Sequence, residues 1–390
     1  MTSSALLELR KFVAPEFVFG PGAAGLAGQY AANLRAGKAL LVTDQGLIRH
    51  SWATLVSDSL QKAGINVVRF DALSANPRDH EVMAGAALYQ RAGCDCIVAV
   101  GGGSPMDCAK AIGIVNANEQ HVLEFEGADN VAKPGPPLIC IPTTAGSAAE
   151  VSQFCIITDS ARKVKIAIVS KTMVPDVALI DPVLTTTMDR DLTAHTGLDA
   201  LTHAIEAYVS NAHSPITDLH ARETVRLVAR HLPRAIEEPD NIEVRAGMLL
   251  GSLFAGLAFS NAILGAVHAL AHSLGGFLDL PHGQCNAILL DHVIDFNYDA
   301  APDRYEDIGR LLGGDIPSEA LAEERKSRVL ETVRAFKRKC GVTATLSELG
   351  VRPEDLADLA AKAVRDPCMI TNPKDCSVED VCRIYEHACK

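Results

Sequence analysis

The chain has 390 residues, 48% of them hydrophobic, and a net charge of −12. That length and apolar content allow two sizeable cores, and the acidic balance argues against nucleic acid as a partner, since phosphate backbones need a basic surface. The eleven cysteines are scattered without framework spacing behind an N-terminus that lacks a signal-peptide pattern, so a reducing cytoplasm is the expected location.

Near the start, FGPGAAG puts Gly20, Gly22 and Gly25 at the spacing of a dinucleotide-binding fingerprint. A lone match of this kind is weak, the apolar stretch before it is short and broken by Pro15, and Pro21 lies inside the pattern. The segment reads as a tight turn into the first helix. From about Gly37 to Asp181 strand and helix patterns alternate: ALLVT, a helix near Trp52 to Ala63, INVVRF, a helix near Glu81 to Ala92, then CIVAV. This alternation predicts a parallel sheet wrapped by helices.

Asp44 follows the ALLVT strand. An acid at such a strand end accepts hydrogen bonds from the adenosine ribose and repels a 2′-phosphate, which favours NAD over NADP; it can also cap the turn into QGLIRH. CIVAV runs into Gly101, Gly102, Gly103 and Ser104 and then a helical MDCAKAIGIV. Glycines there let backbone N–H groups approach a pyrophosphate, and the helix N-terminus adds partial positive charge. Asp107 and Lys110 lie on the first turns of that helix, where capping and surface charge are the plain structural reading. Thr143 and Thr144 follow the strand LICIP, at the strand end where α/β proteins bind ligands.

After Asp181-Pro182 the alternation stops and successive amphipathic helices follow, so the predicted domains are an α/β dinucleotide-binding domain over 1–185 and an all-helical metal-binding domain over 186–390, with the chemistry in the cleft between them. Asp199 and His203 stand four apart in GLDALTHAIEAY and project from one helix face. His268 lies in the apolar stretch GAVHALAHSLGG, and His282 follows Pro281 in LPHGQCNAILL at a turn or helix start. Three imidazoles and one carboxylate read as a divalent transition-metal site, suiting iron, zinc or nickel better than magnesium or calcium. His272, four residues after His268, is the candidate proton relay, with a structural histidine as the alternative. Cys285, beside this set, reads as a small packing thiol. The apolar run from Met248 to Val267 contains small and polar residues, so no stretch is expected to span a bilayer and no membrane contact is expected.

The motifs GGGSPMDCAKAI, PTTAGSAAEVS, GLDALTHAIEAY, GAVHALAHSLGG and PHGQCNAILL, in this order and over nearly the whole chain, resemble the iron-containing, or group III, alcohol dehydrogenase family. The Ala148, Ala149, Glu150 ending of the threonine motif resembles the lactaldehyde reductase branch. The resemblance implies a dehydroquinate synthase-like architecture, with Asp199, His203, His268 and His282 holding Fe(II), zinc being the alternative. It implies that Gly102, Gly103 and Ser104 hold the pyrophosphate, that Thr143, Thr144 and Ser147 line the nucleotide cleft, and that Lys165 in KVKIAIV reaches the nicotinamide; a solvated strand-edge lysine is the alternative for Lys165.

The implied activity is NAD-dependent interconversion of a small primary alcohol and its aldehyde by a homo-oligomer. A sugar-phosphate cyclase of the dehydroquinate synthase type, a hydroxyacid-oxoacid transhydrogenase on tightly bound NAD, and a catalytically silent binding protein are the competing readings. Phe259 matches an aromatic residue of the alcohol pocket in the lactaldehyde reductase branch, and Phe154 stands where that branch carries asparagine. Simple primary alcohols are therefore expected to outperform 1,2-diols, because a phenyl ring leaves a second hydroxyl desolvated without a partner.

Overall fold

The computed structural model describes residues 11–390, which divide into two compact units. The α/β unit takes in residues 13–188 and 240–249. Its elements run β1 (Glu16–Phe19), α1 (Ala27–Asn33), β2 (Lys38–Val42), α2 (Gln45–Arg49), α3 (Trp52–Lys62), β3 (Asn66–Phe70), α4 (Asp79–Ala92), β4 (Cys96–Gly101), α5 (Gly103–Asn118), β5 (Gly127–Ala128), β6 (Leu138–Pro142), β7 (Phe154–Asp159), β8 (Val164–Val169) and β9 (Val177–Ile180).

Six strands form one parallel sheet in the order β1-β9-β6-β4-β2-β3. The strands are continuous apolar runs because both faces are covered. Leu40, Val42, Ile97 and Ala99 pack toward α4 and α5, while Ala39, Leu41, Val98 and Val100 pack toward α1 and α3. From β2 the chain moves outward to β3, and from β4 it moves the other way to β6, so the strand order reverses between β2 and β4. Ligands of open α/β sheets bind at such a reversal, outside the carboxyl ends of the strands.

The predicted parallel sheet is thus present, but KVKIAIV does not join it. β7 and β8 form an antiparallel hairpin, Phe154 opposite Val169 and Asp159 opposite Val164, with β5 beside β8 as a second sheet. The carboxylate of Asp159 closes the hairpin by accepting from the backbone N–H groups of Ala161 and Arg162, both at 2.9 Å.

The helical unit takes in 189–239 and 250–390. Its helices are α6 (Arg190–Val209), α7 (Pro215–Glu237), α8 (Ile242–Ala262, whose first turns count with the other unit), α9 (Ala266–Leu278), α10 (His282–Asn297), α11 (Pro302–Leu311), α12 (Ala322–Lys339), α13 (Leu356–Ala363) and α14 (Val378–Ala388). Side-chain caps start the long ones: Asp189 accepts from Leu192 N at 2.7 Å for α6, and Ser214 accepts from Thr217 N at 3.2 Å for α7, with Pro215 at the first helical position. α10 packs against α6, α9, α12 and α14.

One expectation needs correcting. α8 is, by length and composition, long and apolar enough to cross a membrane; Ser252 and Ser260, which counted against it in the sequence, are fully buried along with Leu249, Leu253 and Ala258. Two thirds of its apolar window, 67%, is buried within the protein, as in the core helix of a folded domain.

Candidate functional site

Two glycine turns sit at strand ends of the α/β unit, and they differ in what occupies them. FGPGAAG does follow a strand, β1, but the N–H groups of Gly22 and Ala24 donate to Asp181 Oδ2 at 2.9 and 3.3 Å. The chain's own carboxylate fills the anion position, and the turn is structural, as its sequence implied. After β4, by contrast, α5 starts at Gly103 with Gly102 as N-cap and no side-chain cap, so its first N–H groups are not capped by a side chain.

Glycine is needed here for close approach. A Cβ on Gly101 would lie 2.5 Å from Pro105 Cγ, and one on Gly103 would lie 3.1 Å from Ser147. Thr144 reaches the Gly102 position at 3.2 Å, so the threonine loop after β6 lies directly on the glycine turn after β4. Thr143 is buried, while Thr144, Ser147, Ser104 and Asp107 are half-buried. The Ser104 hydroxyl donates to Ala75 O, and Lys165 Nζ donates to Asn76 Oδ1 at 2.8 Å. Lys165 is therefore a half-buried, bonded side chain that holds the hairpin to the β3–α4 loop, instead of a solvated edge lysine. Asp44 lies two residues past β2, on the reversal of strand order, and its Oδ1 accepts from Leu47 N at 3.0 Å as the cap of α2.

Lys110 departs from the surface role read for it. It is 2% exposed, and its Nζ donates to the carbonyls of Ser152 at 2.9 Å and Phe154 at 2.8 Å, fastening α5 to the start of β7. Phe154 is buried in the same unit.

In the helical unit, Asp199, His203, His268 and His282 come together: one ligand atom from each lies within 4.8 Å of all the others. Asp199 and His203 come from α6, His268 from α9, and His282 is the first residue of α10. Gly283 makes the approach possible, since a Cβ there would lie 2.5 Å from His195 O. Asp199 Oδ1 is 3.8 Å from His268 Nε2 and 3.9 Å from His282 Nε2. The His203 ring is sandwiched between His268, 4.5 Å away at 18°, and Phe259, 4.2 Å away at 20°. Cys285 is fully buried one turn from His282, among packed side chains.

Three residues that the sequence reading passed over complete the cluster. Glu206, seven residues after Asp199 on the α6 stripe, accepts from His268 Nδ1 at 2.6 Å. With Glu206 ionised, the contact requires the ring proton on Nδ1, the tautomer that leaves Nε2 as a lone pair on the Asp199 side. Asn286, four after His282, brings its Nδ2 to 2.7 Å from Asp199 Oδ1 and to 3.1 Å from both His268 Nε2 and His282 Nε2. An amide has two N–H hydrogens for these three acceptors, so the cluster holds more acceptors than donors. Asp366 accepts from His272 Nδ1 at 2.8 Å, and the His272 ring stacks on His282 at 5.2 Å. The α6 stripe and the i,i+4 position could have pointed to Glu206 and Asn286; nothing local to Asp366 marks it.

Burial pushes Glu206 up to about 7 and His268 down to about 3, so the buried His268 ring carries one proton, not two, near neutral pH. Burial also opposes ionisation of Asp366, yet His272 and the Cys368 N–H outweigh it and hold that carboxyl below the usual range. An excess of nitrogen and carboxylate acceptors, with one imidazole oriented from behind by a carboxylate, fits a divalent transition metal.

Comparison with known proteins agrees over nearly the whole chain. The model of the iron-containing alcohol dehydrogenase family matches residues 14–182, and the model of the C-terminal part of the same family matches 193–389. The NAD-dependent methanol dehydrogenase of Bacillus methanolicus is 38% identical over 97% of this chain and 99% of its own length. The lactaldehyde reductase of Escherichia coli K12 is 38% identical over 95% of this chain and 97% of its own. Among solved structures, that of a 1,3-propanediol oxidoreductase superposes with a TM-score of 0.94 at 39% identity, covering 98% of this chain and 100% of that one.

Proposed function

The chain belongs to the iron-containing alcohol dehydrogenase family, and from that premise we propose that it interconverts a small primary alcohol and its aldehyde with NAD, using Fe(II) held by Asp199, His203, His268 and His282. The observation that carries this reading is the convergence of three imidazoles and one carboxylate with acceptors in excess. When bound, the metal supplies a Lewis acid that polarises an alcohol or carbonyl oxygen.

The chain's own groups do the rest. The uncapped N-terminus of α5 presents N–H groups of Gly103 and Ser104 to a pyrophosphate, and Thr143, Thr144 and Ser147 border the same turn. Asp44 keeps Oδ2 for the ribose hydroxyls while Oδ1 caps α2, and its charge disfavours a 2′-phosphate. Asp366 holds the proton on His272 Nδ1, so that Nε2 is the atom available to take the hydroxyl proton and pass it toward solvent. Phe259 covers His203 and keeps water off one side of the ligand set. The eleven free cysteines support a reducing, cytoplasmic setting, and the exposed Phe17 and Phe19 on edge strand β1 favour a homo-oligomer.

The test is an anaerobic, iron-reconstituted screen of short alcohols, diols and hydroxy acids with NAD and NADP in parallel. Net NADH formation with a primary alcohol is expected; hydride passed only between hydroxy and oxo acids, with no net NADH, would mean a transhydrogenase. Asp44→Gly should move the NAD to NADP preference ratio by about tenfold toward NADP, roughly 1.4 kcal/mol. Phe154→Asn should raise kcat/KM on 1,2-propanediol a few-fold relative to a primary alcohol of equal length. An unmoved ratio would leave Phe154 as core packing alone.

A further inference from the structure

Glu206 is buried to 4% exposure, yet it contributes no ligand atom to the four-residue cluster. A carboxylate in that position has lost its water and needs compensation. It finds it at the start of α9: Oε1 accepts from Val267 N at 2.6 Å, and Oε2 accepts from His268 Nδ1 at 2.6 Å. One carboxylate thus serves two neighbouring residues, a free N–H of the helix N-terminus and the imidazole that follows it. Gly265, the N-cap of α9, leaves room for it, since a Cβ there would lie 2.9 Å from Glu206 Oε1.

We propose that Glu206 is a positioning residue that sets the tautomer and ring direction of His268 from a seat fixed by the α9 N-terminus. With Nδ1–H donated to Glu206, Nε2 is obliged to face Asp199 as a lone pair; with Nδ1 unprotonated, Nε2 would carry the proton and could not ligate. Because Glu206 and Asp199 share one stripe of α6, the same helix face supplies a ligand and the orienting group for a ligand on another helix. The proposal rests on the reading of the four residues as metal ligands, and its test separates the two.

Glu206→Gln keeps the side-chain shape. The glutamine oxygen can still accept from Val267 N, but its NH₂ then faces His268 Nδ1 and demands the opposite tautomer. The measurements are the Kd for Zn(II), by competition with a chromophoric chelator, and the thermal midpoint of the metal-free protein. Wild type should bind Zn(II) tightly, and Glu206→Gln should bind it about 10- to 100-fold more weakly with an unchanged metal-free midpoint. Failure of the wild type to bind would sink the ligand assignment itself. Equal affinity in the variant, or a lost affinity matched by a fallen metal-free midpoint, would leave Glu206 as a helix cap and overturn the proposal.

Should Glu206→Gln not fold, Gly265→Ala decides the matter: its methyl would fall 2.9 Å from both Glu206 Oε1 and Asn372 Oδ1 while every ligand stays, and Asn372→Ala is the control for the second contact. Weaker Zn(II) binding in a folded Gly265→Ala protein supports the positioning role, and unaltered binding overturns it.

Discussion

The first turns and the middle of α10 carry two buried polar clusters built on opposite principles. At the first turns, His282 and Asn286 join Asp199, His203 and His268, where the acceptors outnumber the hydrogens offered to them. Less than two turns later Asp291 is equally buried, but Lys337 Nζ donates to its Oδ1 and Arg334 Nε to its Oδ2 at 2.7 Å. Burial opposes ionisation of Asp291, and Lys337, His292 and Arg334 outweigh it to hold the carboxyl at about 2. One cluster is closed by cations that the chain supplies. In the other, the acceptor atoms of Asp199, His203, His268 and His282 converge within 4.8 Å of one another and could take a cation from outside. Burial of charge alone therefore says little about function; whether the charge is balanced within the fold says more.

The largest expected effect tests the closed cluster. Lys337→Met should leave the buried Asp291 with only Arg334 and the more distant His292 beside it and cost about 3 kcal/mol of unfolding free energy by denaturant titration. Metal content and activity per folded molecule should not change; a fall in either would mean that the two clusters on α10 act as one unit.

His203→Ala attacks the open cluster and should do the reverse. Metal affinity should fall at least about a hundredfold, roughly 2.7 kcal/mol, and activity with it, while the metal-free protein keeps its thermal midpoint to within about 2 °C. Near-stoichiometric metal by elemental analysis, with activity retained, would break the contrast.

The smallest effect is in acid. The folded pKa of Asp291 is depressed, so its contribution is fully present above the unfolded value of 3.8 and is lost as pH falls toward about 2. That loss amounts to about 2 kcal/mol, and Asp291→Asn should remove it from the stability-pH curve between 4 and 2. An unaltered slope would show that other carboxylates carry the acid transition.

Much of this was legible in the sequence because it is encoded locally. The i,i+4 pair Asp199 and His203, the strand-glycine-helix run at Gly101–Ser104 and the continuous apolar strands each state their structure within a dozen residues. What stayed hidden depends on partners far along the chain. Lys110 looks like a surface charge until the carbonyls of Ser152 and Phe154 are placed beside it. Glu206 looks like a helix residue until His268, 62 positions later, turns its Nδ1 toward it. β7 and β8 read as more of the same alternation, whereas their antiparallel pairing is set by a short turn at Ser160–Lys163. α8 shows the converse, because hydropathy cannot tell a core helix from a membrane span, and only its surroundings do.

The four proposed ligands reside on three separate helices, α6, α9 and α10, so an ion held by them would be shared among all three. An ion bound to the folded form and not to the unfolded one acts as a clasp across all three, adding RT ln(1 + [M]/Kd) to stability, about 2.7 kcal/mol at a hundredfold excess over Kd. On that reading, loss of metal lowers the stability of the fold as well as the activity. A metal-free sample should therefore melt at a lower temperature than a metal-loaded one, by the amount this linkage sets.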